Sequence, residues 1–223
     1  MTEVLEVRPE DFIYKPDTFG TLRAIGIDKY PGEMPIVREL LQNADDAEAT
    51  LVRFRVYDEK IVVENNGRPF TMPGEVKRKE DSDFYRVSHI GLGKTEEEMT
   101  GIFGVGFTAV FHLTDNPRIV SNGWDFEIHV DRLPVIKKVP FDKVTRIHLP
   151  LRLCETELSK KIGAEAFDFK KKESFERELP CEIYRDIFFL KKVSMIEVYR
   201  NESKIFSTSK KIKVKEDLEH GLT

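Results

Sequence analysis

Three observations in the amino-acid sequence predict an α/β fold with a largely antiparallel sheet. An amphipathic helix is expected over 34–49, paired strands recur along the chain, and strict strand–helix–strand alternation is missing. The helix rests on Pro35, suited to a first helical turn, and on Ile36, Val37, Leu40, Leu41, Ala44 and Ala47 at helical spacing. The residues before it read as non-helical. Residues 51–57 alternate, with Val52, Phe54 and Val56 against Arg53, Arg55 and Tyr57, as a half-buried strand does. Asp58-Glu59-Lys60 turns this strand into a second one at 61–64, and Asn65-Asn66-Gly67 with Pro69 ends that strand sharply.

Residues 73–100 are polar and poorly periodic, so a long mobile loop is expected there. Gly101-Ile-Phe-Gly-Val-Gly-Phe107 then runs into an apolar helix at 108–113. Strands follow at 118–121, 124–131 and 145–151. A charged helical region is expected at 155–175, a second helix at 181–191, and a closing β-ribbon at 194–200 and 203–207.

A chain of 223 residues and 25.9 kDa holds one large or two small domains. Lys and Arg total 36 against 40 Asp and Glu, giving a formal charge of −4. The lack of a basic excess argues against a generic nucleic-acid surface. The runs Lys170-Lys171-Lys172 and Lys210-Lys211 with Lys213 and Lys215 read as solvated charge. Two cysteines, Cys154 and Cys181, build neither a disulfide framework nor a zinc site and are expected to be packing residues in a reducing compartment. No apolar run approaches the roughly 18 residues that span a bilayer, and the N-terminus lacks a signal-peptide layout. A cytoplasmic chain with no membrane partner is the expectation. The ending KEDLEHGLT offers no closing core element, so the chain reads as the front end of a larger protein.

Three constellations carry chemistry. Glu39, Asn43 and Asp46 lie at i, i+4 and i+7, one polar stripe opposite the apolar face of the helix. Such a set is either a solvated face or a site where Asn43 meets a hard divalent cation and Glu39 acts as a water-activating base. Glu64-Asn65-Asn66-Gly67 is either a plain turn or a strand end whose polar side chain reads the edge of a base. Gly101, Gly104 and Gly106 open a helix, where close backbone approach and free N–H groups favour an anion. Two other nucleotide signatures fail. Gly93-Lys94-Thr95 has Ser88 where a P-loop needs glycine, and Gly104-Val-Gly106-Phe-Thr-Ala109 does not follow the buried strand a dinucleotide fingerprint requires.

Taken in order, these motifs resemble the GHKL ATPase superfamily of gyrase, the Hsp-ninety chaperones, histidine kinases and MutL. Val37-Arg-Glu-Leu-Leu-Gln-Asn-Ala-Asp-Asp-Ala47 looks like the N-box. Ile61-Val-Val-Glu-Asn-Asn-Gly67 and Ile102-Phe-Gly-Val-Gly-Phe107 look like the two glycine boxes, and Val144-Thr-Arg-Ile-His-Leu149 is similar to the late strand that supports the base site. Phe111-His-Leu-Thr-Asp-Asn-Pro117 and the stretch 188–198 resemble the sacsin and microrchidia-like branch. No dimerising phospho-acceptor helix precedes the N-box, which sets histidine kinases aside.

The resemblance implies a Bergerat-type two-layer sandwich, with a mixed, mostly antiparallel sheet covered by helices on one face. It implies an ATP-binding domain over 1–152, with a lid at about 73–100, and a helix and ribbon extension over 153–223. Glu39 would be the general base, Asn43 the Mg²⁺ ligand and Asp46 a lining residue of the nucleotide site. Asn65 would face the adenine amino group, Gly67 would let the backbone approach, Phe70 would pack on the base, and Thr145 would bond near Asn65. Lys94 would reach the phosphates from the lid, and Gly101, Gly104, Val105, Gly106 and Phe107 would form the phosphate cradle. Two positions depart from the pattern. Asn65 stands where the family carries an aspartate, so the charge-assisted bond, roughly twice as strong as a neutral one, is lost and base preference relaxes. Pro69 replaces a glycine and stiffens the loop.

The implied function is a Mg²⁺-dependent, slowly hydrolysing ATPase module that switches conformation in the manner of a chaperone. Its partners would be nucleotide, a protein client or its own downstream domains, and a second copy in an ATP-dependent homodimer. The alternatives are a non-catalytic nucleotide-sensing or protein-interaction module, or the ATPase of a DNA-associated (microrchidia- or MutL-like) or defence protein.

Overall fold

The computed structural model describes residues 18–29, 32–88 and 106–210. Strands β1 (Leu51–Val56) and β2 (Lys60–Asn65) form the expected antiparallel hairpin, with Phe54 opposite Val63 and Val52 opposite Asn65. Strands β3 (Arg118–Ser121) and β4 (Trp124–Glu127) form a second hairpin, turned by Asn122 (φ 54°) and Gly123 (φ 75°). β5 (Val135–Lys138) adds to β4, and β6 (Thr145–Pro150) lies between β3 and β2. β7 (Met195–Arg200) and β8 (Ser203–Ser209) are the closing ribbon. The result is one open eight-stranded sheet ordered β5-β4-β3-β6-β2-β1-β7-β8. β7 runs parallel to β1, with Phe54 opposite Val198, and every other neighbouring pair is antiparallel. The ribbon therefore extends the sheet itself.

One face of the sheet is apolar and covered by helices. Val52, Phe54, Val56, Ile61, Val63, Ile147, Leu149, Ile196 and Val198 are all buried in a single core with α2 (Pro35–Asp46) and α5 (Phe169–Asp186). The other face carries cross-strand ion pairs: Arg53 Nε to Glu197 Oε2 at 2.8 Å, Arg55 Nε to Glu64 Oε2 at 3.1 Å, and Arg118 Nε to Asp125 Oδ1 at 2.5 Å. This is a two-layer α/β sandwich.

Several elements differ from the sequence expectation. Within the segment before α2, residues 18–27 are helical, with α1 (Thr18–Leu22) running into a π-turn over Arg23–Ile27. Of the loop expected at 73–100, residues 89–100 lie outside the described residues, and 73–88 carry regular structure. They hold two short 3₁₀ turns and α3 (Asp83–Ser88), whose Phe84 and Val87 enter the core. With two apolar anchors among many polar residues, this part shows no period to read. The segment after the glycines is a 3₁₀ helix, Gly106–His112, and the strand at 124 stops at Glu127. β5 escaped notice because only Ile136 packs against the core. The charged region forms the short α4 (Glu157–Ile162) and then α5, which continues through Pro180. Burial of Phe175, Leu179 and Ile183 at i, i+4 and i+8 holds α5 together across the missing proline N–H. Cys154 and Cys181 are exposed free thiols rather than packing residues. Among the described residues, no helix is long and apolar enough to cross a membrane.

Candidate functional site

Helix α2 is the spine of the site. Ile36, Val37, Leu40, Leu41 and Ala44 bury one face against the sheet. Its end is a Schellman motif, in which Ala49 N donates to Ala44 O at 2.9 Å and Glu48 N to Asp45 O at 2.9 Å, with Glu48 at φ 60°. The polar stripe flanks the buried face. Glu39 and Asn43 are half-buried, and Asp46 is exposed. Asp46 also borders a cavity of about 550 Å³ lined by Arg38, Gln42, Asp45, Asp186 and Phe189.

Two glycines press on this helix from opposite ends. At the Glu39 end lies Gly106, the first residue of the 3₁₀ helix. A Cβ at Gly106 would overlap Oε2 of Glu39 and lie 2.7 Å from its Cδ. The Glu39 carboxylate therefore occupies the space next to the Gly106 backbone. At the other end lies Gly67, where a Cβ would stand 2.6 Å from the carbonyl oxygen of Ala47. Arg68 N donates to that same oxygen at 2.6 Å, so the turn after β2 is fastened to the C-terminus of α2.

Between these two points, Asn43 Nδ2 is sealed from solvent and has no hydrogen-bond partner among the described residues. An unsatisfied buried amide is uncommon and calls for an explanation. Rotation of the carboxamide exchanges its nitrogen and oxygen, so the same position can present Oδ1 to a hard cation. Among the described residues, no group of three or more acidic, His or Cys side chains forms a metal cage. Mg²⁺, which keeps several waters and takes its other ligands from substrate phosphates, needs none. The residues present fit that ion.

Asn65, Thr145 and Ser121 form the strand-end wall. Asn65 and Thr145 face each other across β2 and β6 and are 7% and 1% exposed. Asn65 follows Ile61 and Val63 on the helix-covered face, as the two-residue strand period requires. Its Oδ1 accepts from Gly67 N at 3.0 Å. The Thr145 hydroxyl pairs with Ser121 Oγ at 2.6 Å, and Ser121 Oγ accepts from Phe70 N at 3.0 Å. Phe70 is buried edge-on against Phe84 with ring centroids 5.4 Å apart, so it packs into the core behind the turn. Phe107 is likewise buried. Lys94, Gly101, Gly104 and Val105 lie outside the described residues.

The frame behind the site depends on residues that sequence reasoning missed. Asn66 Oδ1 accepts from Thr50 N and Leu51 N at 2.9 Å each, tying the turn to the start of β1. Asp83 binds Arg68 Nη1 at 2.6 Å and both Thr71 N and Oγ1, which fixes the loop beyond Pro69 to α3. Arg152 is 4% exposed and caps the far end of the 3₁₀ helix. It donates to the carbonyls of Phe111 at 2.5 Å, Thr114 at 3.0 Å and Glu165 at 3.0 Å, and to Asp115 Oδ1 at 2.6 Å. Asp45 accepts from the N–H groups of Lys191, Lys192 and Val193 at 2.8, 2.6 and 2.8 Å. Burial acts to raise its pKa, but these three donors outweigh it and hold the carboxyl below its usual value. Each of these partners is distant in sequence from the residue it holds. That distance leaves no local period or turn in the sequence to signal any of them.

The sacsin domain family matches residues 16–131, more than half of the chain and the span that includes α2, the β2 turn and the 3₁₀ helix. Human sacsin is 34% identical over 115 residues, covering 43% of this chain and 2% of sacsin. The chain thus spans only a small fraction of the length of that relative. With the family matched over more than half of the chain's length, across the α2, β2-turn and 3₁₀ parts of the site, the chain belongs to the sacsin-domain family.

Proposed function

We propose that this sacsin-like module binds a purine nucleoside triphosphate such as ATP with Mg²⁺ and hydrolyses it slowly. In the larger protein it would act as a chaperone-like conformational switch. The observation that carries this reading is on α2, where the Glu39 carboxylate lies against the Gly106 backbone and one turn on Asn43 holds a sealed amide nitrogen with no partner among the described residues. A buried polar atom without a partner is a standing penalty of about 1–3 kcal/mol, which a ligand relieves.

In this mechanism Asn43 would hold Mg²⁺ through Oδ1, and the ion, when bound, would supply neutralisation of phosphate charge. Glu39 orients the attacking water and accepts its proton at a carboxylate oxygen. Gly106, lacking a side chain, leaves room for that carboxylate beside the backbone and keeps its N–H near the phosphates. Gly67 holds the turn on α2 so that Asn65 and Thr145 stay at the base end. Lys94 in the lid and the backbone at Gly101, Gly104 and Val105 complete the phosphate contacts in this reading. The partners are a protein client or downstream domains, with nucleotide-dependent homodimerisation as the mechanical output.

Calorimetric titration with ATP and Mg²⁺, paired with phosphate release, tests the reading. Saturable heat that disappears in Asn43→Ala, with turnover that disappears in Glu39→Ala, supports it. No heat and no thermal shift at millimolar nucleotide contradicts it.

A further inference from the structure

Resting on the nucleotide-binding reading, we infer that Asn65 presents a hydrogen-bond donor to the base, so that the site takes 6-oxopurine triphosphates in preference to ATP. A carboxamide has one accepting and one donating end, and which end faces a ligand is decided by what holds the other. Here the accepting end is spent, because Oδ1 takes the Gly67 N–H at 3.0 Å. That donor does not move. Gly67 is wedged with its α-carbon against the Ala47 carbonyl, where even a Cβ would stand 2.6 Å from the oxygen, and Arg68 N holds the same oxygen at 2.6 Å.

Flipping the Asn65 amide would set Nδ2–H₂ against the Gly67 N–H, donor against donor, inside a wall where Asn65 is 7% exposed and its cross-strand neighbour Thr145 is 1% exposed. The orientation is therefore locked. What remains is Nδ2, which has no hydrogen-bond partner among the described residues. It lies on the helix-covered face of β2, the same side as α2 and the Asn43 amide.

An exocyclic amino group at purine C6 meets this NH₂ as donor against donor. A C6 carbonyl accepts from it. The inosine and adenosine triphosphates differ only on that edge, at C6 and N1, so the pair isolates the contact. Replacing Asn65 with aspartate restores an acceptor on both oxygens while keeping the bond to Gly67 N–H.

Calorimetry of the full chain with Mg²⁺ and ITP, GTP or ATP tests the inference, first on wild type and then on Asn65→Asp. Wild type is expected to bind ITP and GTP about fivefold or more tighter than ATP, the span of one hydrogen bond gained against one clash. Asn65→Asp is expected to invert that order. ATP binding wild type as tightly as ITP, or tighter, overturns the inference and leaves nucleotide binding standing. No heat with any of the three overturns the inference together with the reading beneath it. The wild-type series decides the matter if the variant fails to fold.

Discussion

The carboxylate of Glu39 fills the space in which a side chain at Gly106 would begin, its Cδ 2.7 Å from the position a Cβ would take. One residue supplies the carboxylate and the other the vacancy, from elements sixty-odd positions apart in the chain and brought together by α2 packing on the 3₁₀ helix.

Gly106→Ala tests that pairing. The colliding atoms are the end of a flexible side chain, so the fold is expected to survive with a loss of no more than about 1 kcal/mol. The Glu39 carboxylate is displaced, and phosphate release should fall at least about tenfold, since misplacing a positioned base removes much of its 10²–10⁴-fold effect. Thermal melting and phosphate release on the same sample check both halves.

Asn43→Ala separates function from stability. Truncating a buried asparagine ordinarily destabilises, but here Nδ2 has no partner among the described residues to lose. Stability in the absence of ligand is expected to stay within about 0.5 kcal/mol of wild type, or to rise, while Mg²⁺-nucleotide binding is lost. Urea denaturation beside calorimetry makes the comparison.

Arg152→Met is expected to destabilise by about 3–5 kcal/mol, because it strands the carbonyls of Phe111 and Thr114 and the Asp115 carboxylate around an apolar side chain. Lysine at the same position cannot span the fork and should recover little of the loss. Chemical denaturation of both variants measures it.

Glu48→Gly should stabilise. Glu48 holds φ 60° at the left-handed position of the Schellman turn, where glycine avoids a penalty of about 1–2 kcal/mol. Its exposed ion pair with Lys192 at 3.4 Å is worth little by comparison. Added backbone freedom in the unfolded chain offsets part of the gain, leaving a rise of about 0.5–1 kcal/mol in unfolding free energy.

Acid sensitivity has a defined source on the charged face of the sheet. Hydrogen bonds from Lys204 and Arg53 pull the Glu197 carboxyl from the usual 4.5 down to about 2. A depressed folded-state pKa stabilises the fold fully above the unfolded value, so this contribution is present above pH 4.5 and is lost as pH falls toward about 2. Glu197→Gln should flatten the stability profile across that window, as read by thermal melting at stepped pH.

The polar stripe of α2, the β1–β2 hairpin, the glycine turn after β2 and the β3–β4 pair were legible because each is local: a period, a turn, a spacing. The frame was not. Asp83 looked like one acid in a polar loop because its partners Arg68 and Thr71 lie beyond the turn. Arg152 looked like a stray charge because it caps a helix forty residues upstream by contacts to backbone carbonyls, which carry no sequence signal. The family resemblance sets Thr145 near Asn65; the two stand opposite each other across β2 and β6, while the Thr145 hydroxyl pairs with Ser121, a partner set by β3 joining β6. Two helical segments are expected from the sequence, at 155–175 and 181–191, whereas α5 runs unbroken through Pro180 because burial of Leu179 and Ile183 holds it.

Glu39 as the base of a nucleoside-triphosphate hydrolase is tested by phosphate release from wild type and Glu39→Ala, each at a nucleotide concentration shown by calorimetry to saturate it. Glu39→Ala is expected to bind Mg²⁺-nucleotide nearly as wild type does and to release phosphate at background rate. Equal rates from the two proteins at equal occupancy would contradict it.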